Sequence, residues 1–415
     1  MTAPQEHESY EHESHGVAPQ ESTPQQDAAQ ESTPRPEPGS ADAALWTELD
    51  RVIDPELRRP ITDLGMVESA VVGDDRIARV RVLLTIAGCP MRQTITDDVR
   101  EAGLRVPGVT DVDLDLGVMT PEQRKALRER LRGDGHVNPF VQPGNLTRVL
   151  AVASGKGGVG KSSVTANLAA SLQARGLSVG ILDADIHGFS IPPMLGVGGK
   201  PTKLEDMILP QPGHGVAVMS IGMFVDPGQA VVWRGPMLHR AIEQFLTDVF
   251  WGDLDVLLLD LPPGTGDVAI SVGQLLPDSE LLIVTTPHHA AAQVAERAGA
   301  LATSTKQRIA GVIENMSWMV MPDGSHNPIF GEGGGRQVAE RLSDRLSAAG
   351  GQAHVPLLGQ IPLDPVVRAG ADAGVPAVLS HPDEPGPAAL RTIADSLVQS
   401  RQSLVGRNLG LSPQE

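Results

Sequence analysis

The segment Ser154-Gly155-Lys156-Gly157-Gly158-Val159-Gly160-Lys161-Ser162-Ser163 constrains this chain more than any other. It fits the pattern G-x-x-x-x-G-K-[ST], a loop whose backbone N–H groups cradle phosphate. The apolar run Arg148-Val149-Leu150-Ala151-Val152-Ala153 before it reads as a buried strand, and Val164 to Leu172 after it reads as a helix. A glycine-rich turn from strand to helix lets amides converge on phosphate oxygens and adds the positive end of the helix dipole. In such a loop Lys161 neutralises the β- and γ-phosphates and the Ser162 hydroxyl holds Mg2+. The nucleotide-binding residues predicted here are Gly155, Lys156, Gly157, Gly158, Val159, Gly160, Lys161, Ser162 and Ser163.

At 415 residues the chain has room for two domains plus tails, and 40% hydrophobic content supports a large core. The net charge of −18 argues against a general nucleic-acid surface. No stretch approaches the roughly 18 apolar residues of a membrane helix. Neither nucleic acid nor membrane is therefore an expected partner. The polar, acidic N-terminus is unlike a signal peptide. Cys89, the one cysteine, rules out an intramolecular disulfide framework, so a cytoplasmic location is expected.

Residues 1–40 are rich in Gln, Glu, Ser and Pro and hold eight acidic side chains against one arginine. Such a segment buries too little apolar surface to offset its ordering entropy, so a disordered acidic tail is expected. His7, His12 and His15 within it have no fixed geometry for a metal. Residues 41–134 read as a small α/β domain. Its helices are expected at Ala43 to Ile53, Pro90 to Ala102 and Pro121 to Leu131. Its strands are expected at Met66 to Val72, Ile77 to Ile86 and Val109 to Leu116. Residues 135–147 make a linker. Residues 148–380 alternate apolar strand runs with helical patterns, with strands at Val149–Ala153, Val179–Leu182, Val216–Met219, Val256–Leu259, Leu281–Val284, Ile309–Ile313 and Leu357–Gly359. That alternation predicts a doubly wound, mostly parallel sheet with its ligand at the carboxyl ends of the strands. Residues 381–415 add a helix, striped by Leu390, Ile393, Ala394, Leu397 and Val398, and a tail.

Further segments turn the phosphate loop into a candidate ATPase site. Ile181-Leu182-Asp183-Ala184-Asp185 ends one strand with two carboxylates at i and i+2, which leave the strand on the same side. Asp183 and Asp185 together suit the magnesium shell and an attacking water. Val256-Leu257-Leu258-Leu259-Asp260 is an apolar strand ending in a carboxylate, and Asp260 is predicted to bind magnesium. In Pro262-Pro263-Gly264-Thr265-Gly266-Asp267, Gly264 lets a backbone N–H approach the γ-phosphate. Asn315, in Ile313-Glu314-Asn315-Met316, carries an amide that can both donate to and accept from an adenine edge. Lys156 is unusual. Two readings stand for it: a cation that reaches a neighbouring subunit's nucleotide, or an exposed lysine in a turn. The first makes Lys156, Lys161 and Asp185 the catalytic set and implies a homodimer.

Together these residues resemble the deviant-Walker ATPases, the class of the nitrogenase iron protein and the MinD and ParA proteins. Within that class Lys156–Ser162, Asp183-Ala184-Asp185-Ile186-His187-Gly188, Asp260–Asp267 and Glu314-Asn315-Met316-Ser317 are similar to the Mrp/ApbC iron–sulfur carrier family. Residues 48–118 resemble the iron–sulfur assembly domain often fused ahead of it, through Asp54-Pro55-Glu56, Asp63-Leu64-Gly65 and Cys89-Pro90. The resemblance implies a nucleotide-sandwich dimer, ATP hydrolysis with Mg2+, and delivery of clusters to apo-proteins. Many relatives carry Cys-x-x-Cys after Glu-Asn-Met-Ser, whereas Met321 and Gly324 occupy those places here. A four-thiolate site is therefore absent from the ATPase domain, and thioether is a poor substitute for thiolate around iron. Cys89 is left either as a ligand or transfer residue of the front domain or as a buried, inert thiol. The alternatives to a cluster-assembly ATPase are a nucleotide-switched positioning protein and a cluster-free assembly chaperone.

Overall fold

The computed structural model describes residues 35–132, 137–185, 188–224, 235–264, 266–288 and 291–402. Residues 1–34 of the expected tail at 1–40, with its three histidines, the final residues 403–415, and Ile186, His187 and Thr265 of the motifs lie outside the described residues.

The front domain has a three-stranded sheet ordered Val67–Val72, Ile77–Leu84, Asp111–Val118; the first pair is antiparallel and the second parallel. Helices Ala41–Leu49 and Arg92–Leu104 pack on each other and on this sheet. The first helix ends at Leu49, four residues before the expected Ile53, because Asp50 and Arg51 turn the chain. Its N-terminus is fixed by Ser40, whose Oγ accepts from Ala43 N at 3.1 Å, a cap worth about 1 kcal/mol. Arg35, placed in the tail by the sequence reading, forms two hydrogen bonds to Asp50, both at 2.9 Å, and so is tied to the front domain.

The second domain holds an eight-stranded sheet. Its order is Leu357–Ile361, Arg308–Asn315, Glu280–Thr285, Arg148–Ser154, Val256–Asp260, Val179–Asp183, Val216–Ser220, Gln211–Gly213. All seven expected strands are present and mutually parallel. The eighth, Gln211–Gly213, is an antiparallel edge that the sequence did not signal, being three residues long with proline and glycine in it. Helices lie in two groups. Lys161–Gln173 packs on Pro385–Gln402, while Gly235–Thr247, Asp267–Leu275, Ala291–Thr305 and Gly334–Ala348 pack in succession. The central strands are buried almost throughout, as a sheet covered on both faces requires, whereas the edge strand Leu357–Ile361 is mostly half-buried. Lys161–Gln173 is buried nearly all round, and its alanines and serines let it lie close to the sheet.

The two domains share a core. Leu204, Met207 and Leu209, in the excursion between Val179–Asp183 and Val216–Ser220, are 0% exposed inside the front-domain cluster. Salt bridges Arg124–Glu205 at 3.2 Å and Arg128–Asp206 at 2.9 Å flank them. Arg58 reaches the other way, donating to Gly215 O at 2.9 Å.

Candidate functional site: a phosphate loop over three carboxylates

The strand Arg148–Ser154 is central and delivers the glycine loop at its carboxyl end, between the ends of Glu280–Thr285 and Val256–Asp260. Gly160 caps the following helix at φ +78°, and Gly158 has φ +76°. Both conformations favour glycine, and a Cβ at Gly160 would run into the Asn315 amide. The loop is braced from below. Ser154 Oγ donates to Lys156 O at 3.0 Å, Arg297 Nη1 to Gly155 O at 2.9 Å, and Gly264 N to Ser154 O at 2.8 Å.

Beneath the loop lies a buried polar cluster. Asp260 is 0% exposed and accepts from Lys161 Nζ at 2.6 Å, from Ser162 Oγ at 2.6 Å and from Thr165 Oγ1 at 2.8 Å. Thr165 lies one turn after Lys161 on the same helix face, at i and i+4, and so reaches the same strand end. Sequence reasoning missed Thr165 because threonine in a helix carries no signal of its own.

Asp183 sits opposite Asp260 in the parallel register of adjacent strands. It too is 0% exposed. Its Oδ1 accepts from Asp185 N at 3.1 Å, and its Oδ2 from Ser190 N at 3.2 Å, Ile191 N at 3.3 Å and Ser220 Oγ at 3.2 Å. Burial, followed by the neighbouring Asp260 carboxylate, pushes the Asp183 carboxyl up to about 7; the amides of Asp185 and Ile191 and the charge of Lys161 pull against that rise. Asp185 is buried and its Oδ1 accepts from Gly188 N at 3.1 Å.

Hard oxygen donors of this kind suit magnesium: a hydroxyl and a carboxylate 2.6 Å apart, with a second carboxylate across the strand pair. Among the described residues no three His, Cys, Asp or Glu side chains are arranged to hold a metal ion by themselves.

Lys156 is exposed, with no hydrogen-bonded or ion-paired side-chain partner among the described residues. Asn315 lies at the loop's edge, its Nδ2 donating to Val159 O at 2.9 Å, which leaves its carbonyl oxygen to accept. Glu314, beside it, is 1% exposed and accepts from Gly335 N and from Gln360 Nε2, the latter at 2.7 Å. It ties the end of its strand to the next helix and strand. Residues 319–327, which include Met321 and Gly324, form a small hairpin, Met319–Val320 against His326–Asn327, with Trp318 stacked on His326 at 4.6 Å.

Cys89 stands in the front domain, away from the phosphate loop. It is 8% exposed, and its Sγ lies 3.9 Å from Glu56 Oε2. Burial first, then the Glu56 carboxylate, pushes the thiol up to about 11. Glu56 is 3% exposed, its Oε1 makes no hydrogen bond, and burial pushes it up to about 7 despite the Thr202 hydroxyl, which favours its charged form. Asp54 holds this corner by accepting from Glu56 N at 2.9 Å and Leu57 N at 2.7 Å.

A glycine loop at the centre of a parallel sheet, with a lysine, a serine and a strand-end aspartate meeting beneath it, defines a P-loop NTPase. Residues 145–398 match the family described as NUBPL iron-transfer P-loop NTPase, and residues 42–114 match the one described as iron-sulfur cluster assembly protein. The chain belongs to the NUBPL iron-transfer P-loop NTPase family. A protein of Mycobacterium bovis named iron-sulfur cluster carrier protein is 60% identical over 377 residues, covering 90% of this chain and 98% of that one. One of the same name from Deinococcus radiodurans is 46% identical over 85% of this chain and 94% of that one. Among solved structures, a nucleotide-binding protein from Archaeoglobus fulgidus in complex with ADP is 34% identical, covers 58% of this chain and 91% of that one, and has a TM-score of 0.48.

Proposed function

We propose that this protein binds and hydrolyses ATP with magnesium, as a homodimer, and uses that cycle in delivering iron–sulfur clusters to apo-proteins. The observation that carries the reading is the convergence of Lys161, Ser162 and Thr165 on Asp260 under the glycine loop. It occurs in a chain that aligns over nearly its whole length with proteins named as cluster carriers.

Ser162, Asp260 and Asp183 are the residues that would hold magnesium, which supplies positive charge to the polyphosphate. The loop amides of Gly157 to Lys161 bind the phosphate oxygens. Lys161 exchanges its bond with Asp260 for the β- and γ-phosphates. Asp185 orients the attacking water. Gly264 N, now bonded to Ser154 O, lies on a loop that can shift toward the γ-phosphate. Asn315 reads the adenine edge with its carbonyl oxygen. Exposed Lys156 adds its charge across the dimer, where developing negative charge in phosphoryl transfer is stabilised.

With one cysteine per chain, a homodimer brings two thiols at most. A cluster with four cysteine ligands therefore takes ligands from a scaffold or from the client. Burial of Cys89 against Glu56 favours a second reading, in which the ATP cycle acts on a partner that holds the cluster. Anaerobic incubation with iron, sulfide and an apo-acceptor protein tests both. Charge-transfer absorption on this chain, lost in Cys89→Ala, supports carriage. Acceptor maturation that depends on ATP but not on Cys89 supports the second reading. No ATP-dependent maturation in either protein contradicts the cluster role.

A further inference from the structure

Glu314 lies in register between two neighbours across the sheet, opposite Thr285 on one side and Gln360 on the other. Its buried carboxylate accepts twice. Gln360 Nε2 donates to Oε1 at 2.7 Å, and Gly335 N, in the first turn of Gly334–Ala348, donates to Oε2. The glycines at that helix start leave no room for a side chain. A Cβ at Gly335 would run into the Glu314 side chain, and one at Gly334 into the Pro287 backbone, just past the end of Glu280–Thr285. The ends of three adjacent strands are thereby gathered on the start of one helix. Side chains alternate faces along a strand, so Asn315 leaves on the opposite face, where its Nδ2 donates to Val159 O of the phosphate loop at 2.9 Å. Met316, the next residue, has φ +57°, a left-handed conformation that is costly for a residue with a Cβ. Two bonds hold this turn: Ser317 Oγ donates to Glu314 O at 3.1 Å, and Ser317 N to Ile361 O at 2.9 Å. Glu314 therefore anchors, by its side chain and by its carbonyl, the strained turn that presents Asn315.

We propose that Glu314 is a positioning residue for base recognition: held by Gly335 and Gln360, it fixes where Asn315 stands and so sets a preference for adenine over guanine. The inference rests on the ATPase reading above. With Nδ2 engaged by Val159 O, Asn315 presents its carbonyl oxygen. That oxygen accepts from the 6-amino group of adenine and repels the 6-oxo group of guanine. Without the Glu314 anchor the turn relaxes at Met316 and the amide leaves its place. The phosphate-binding amides stay where they are, because Ser154, Arg297 and Gly264 brace their loop separately. Glu314 thus acts on the base and not on the phosphates.

Calorimetry on the full chain, with magnesium, measures Kd for non-hydrolysable analogues of ATP and GTP and for inorganic tripolyphosphate, which has no base. The parent is expected to favour the ATP analogue by about tenfold or more, the size of one well-made base contact. Glu314→Ala is expected to lose most of that preference while binding tripolyphosphate as the parent does. Glu314→Gln keeps an oxygen for Gly335 N and an amide that can pair with a flipped Gln360, so it is expected to retain the preference. Gln360→Met, at a half-buried position, removes one of the two bonds and is expected to lose part of it, which keeps the test open if Glu314→Ala does not fold. An undiminished preference in folded Glu314→Ala, or in Gln360→Met where the first variant does not fold, overturns the inference. So does a parent that binds both analogues equally, a variant that loses tripolyphosphate as much as ATP, or a Glu314→Gln no better than Glu314→Ala. A parent that binds neither nucleotide nor tripolyphosphate contradicts the ATPase reading itself, and the inference with it.

Discussion

Replacing Lys161 by methionine should destabilise the nucleotide-free protein as well as disable it. The Lys161 Nζ–Asp260 Oδ2 pair is 2.6 Å long, between side chains 6% and 0% exposed. Methionine preserves the stem of the side chain and removes its charge. Asp260, 0% exposed, is then left without its cation on the strand next to Asp183. Breaking one half of a buried pair costs about 3–5 kcal/mol. Ser162 and Thr165 keep donating to Asp260, at 2.6 and 2.8 Å, so the lower end of that range, about 3 kcal/mol, is expected. For a domain of this size about 2–4 °C is lost per kcal/mol, a fall in Tm of about 6–12 °C. The penalty should grow with pH. Lys161 is one of the groups holding the Asp183 carboxyl down, so without it the site can relieve its charge by keeping a proton in acid but not at pH 8. Scanning calorimetry without nucleotide, at pH 6 and pH 8, measures both effects. Adding Asp260→Asn removes the stranded charge and should restore at least half of the loss. A Tm for Lys161→Met within about 1 °C of the parent at pH 8, or a double variant no more stable than the single one, would refute the reasoning.

Other perturbations have equally definite outcomes. Lys156→Ala should slow ATP turnover more than it weakens binding, and Asp185→Asn should slow hydrolysis with ATP still bound; normal turnover in the first removes the cross-subunit lysine, and in the second the water-orienting carboxylate. Gly160→Ala places a side chain at φ +78° and against Asn315, costing about 1–2 kcal/mol for the backbone alone, and should weaken nucleotide binding; unchanged urea unfolding contradicts it. Asp183 and Glu56 are raised from 3.8 and 4.5 to about 7, so the folded chain keeps protons that the unfolded chain has lost. Their contribution is fully present below about pH 4 and is lost as pH rises to about 7, so urea midpoints without nucleotide should fall across that window and flatten in Asp183→Asn/Glu56→Gln; a midpoint that falls as steeply in the double variant is the contrary result.

Much of this architecture was legible in the sequence because its elements are strongly patterned. The parallel strands are mostly apolar runs, and the chemistry stands at their ends, with Ser154, Asp183, Asp260 and Asn315 as the last residues of four of them. Contacts across the chain left no such mark. Glu56 meets Cys89 from 33 positions away, and the pairing exists only after the front domain folds. The insertion of Leu204, Met207 and Leu209 into that domain joins two units that composition divides at residue 134. The three residues Gln211–Gly213 pair because their neighbour Val216–Ser220 offers a free edge, not through any strand propensity of their own. Asn315 was identified by its amide, yet its bond to Val159 O depends on the loop's final shape.

The account depends on a magnesium-bound triphosphate settling into the Gly157–Lys161 amides and being cleaved there. The most direct measurement is phosphate release from Mg·ATP by the purified full chain, beside the Lys161→Ala variant. Saturable release by the parent and none above background by the variant is the predicted result. No release by folded parent protein, together with no calorimetric heat on adding Mg·ATP, would contradict it.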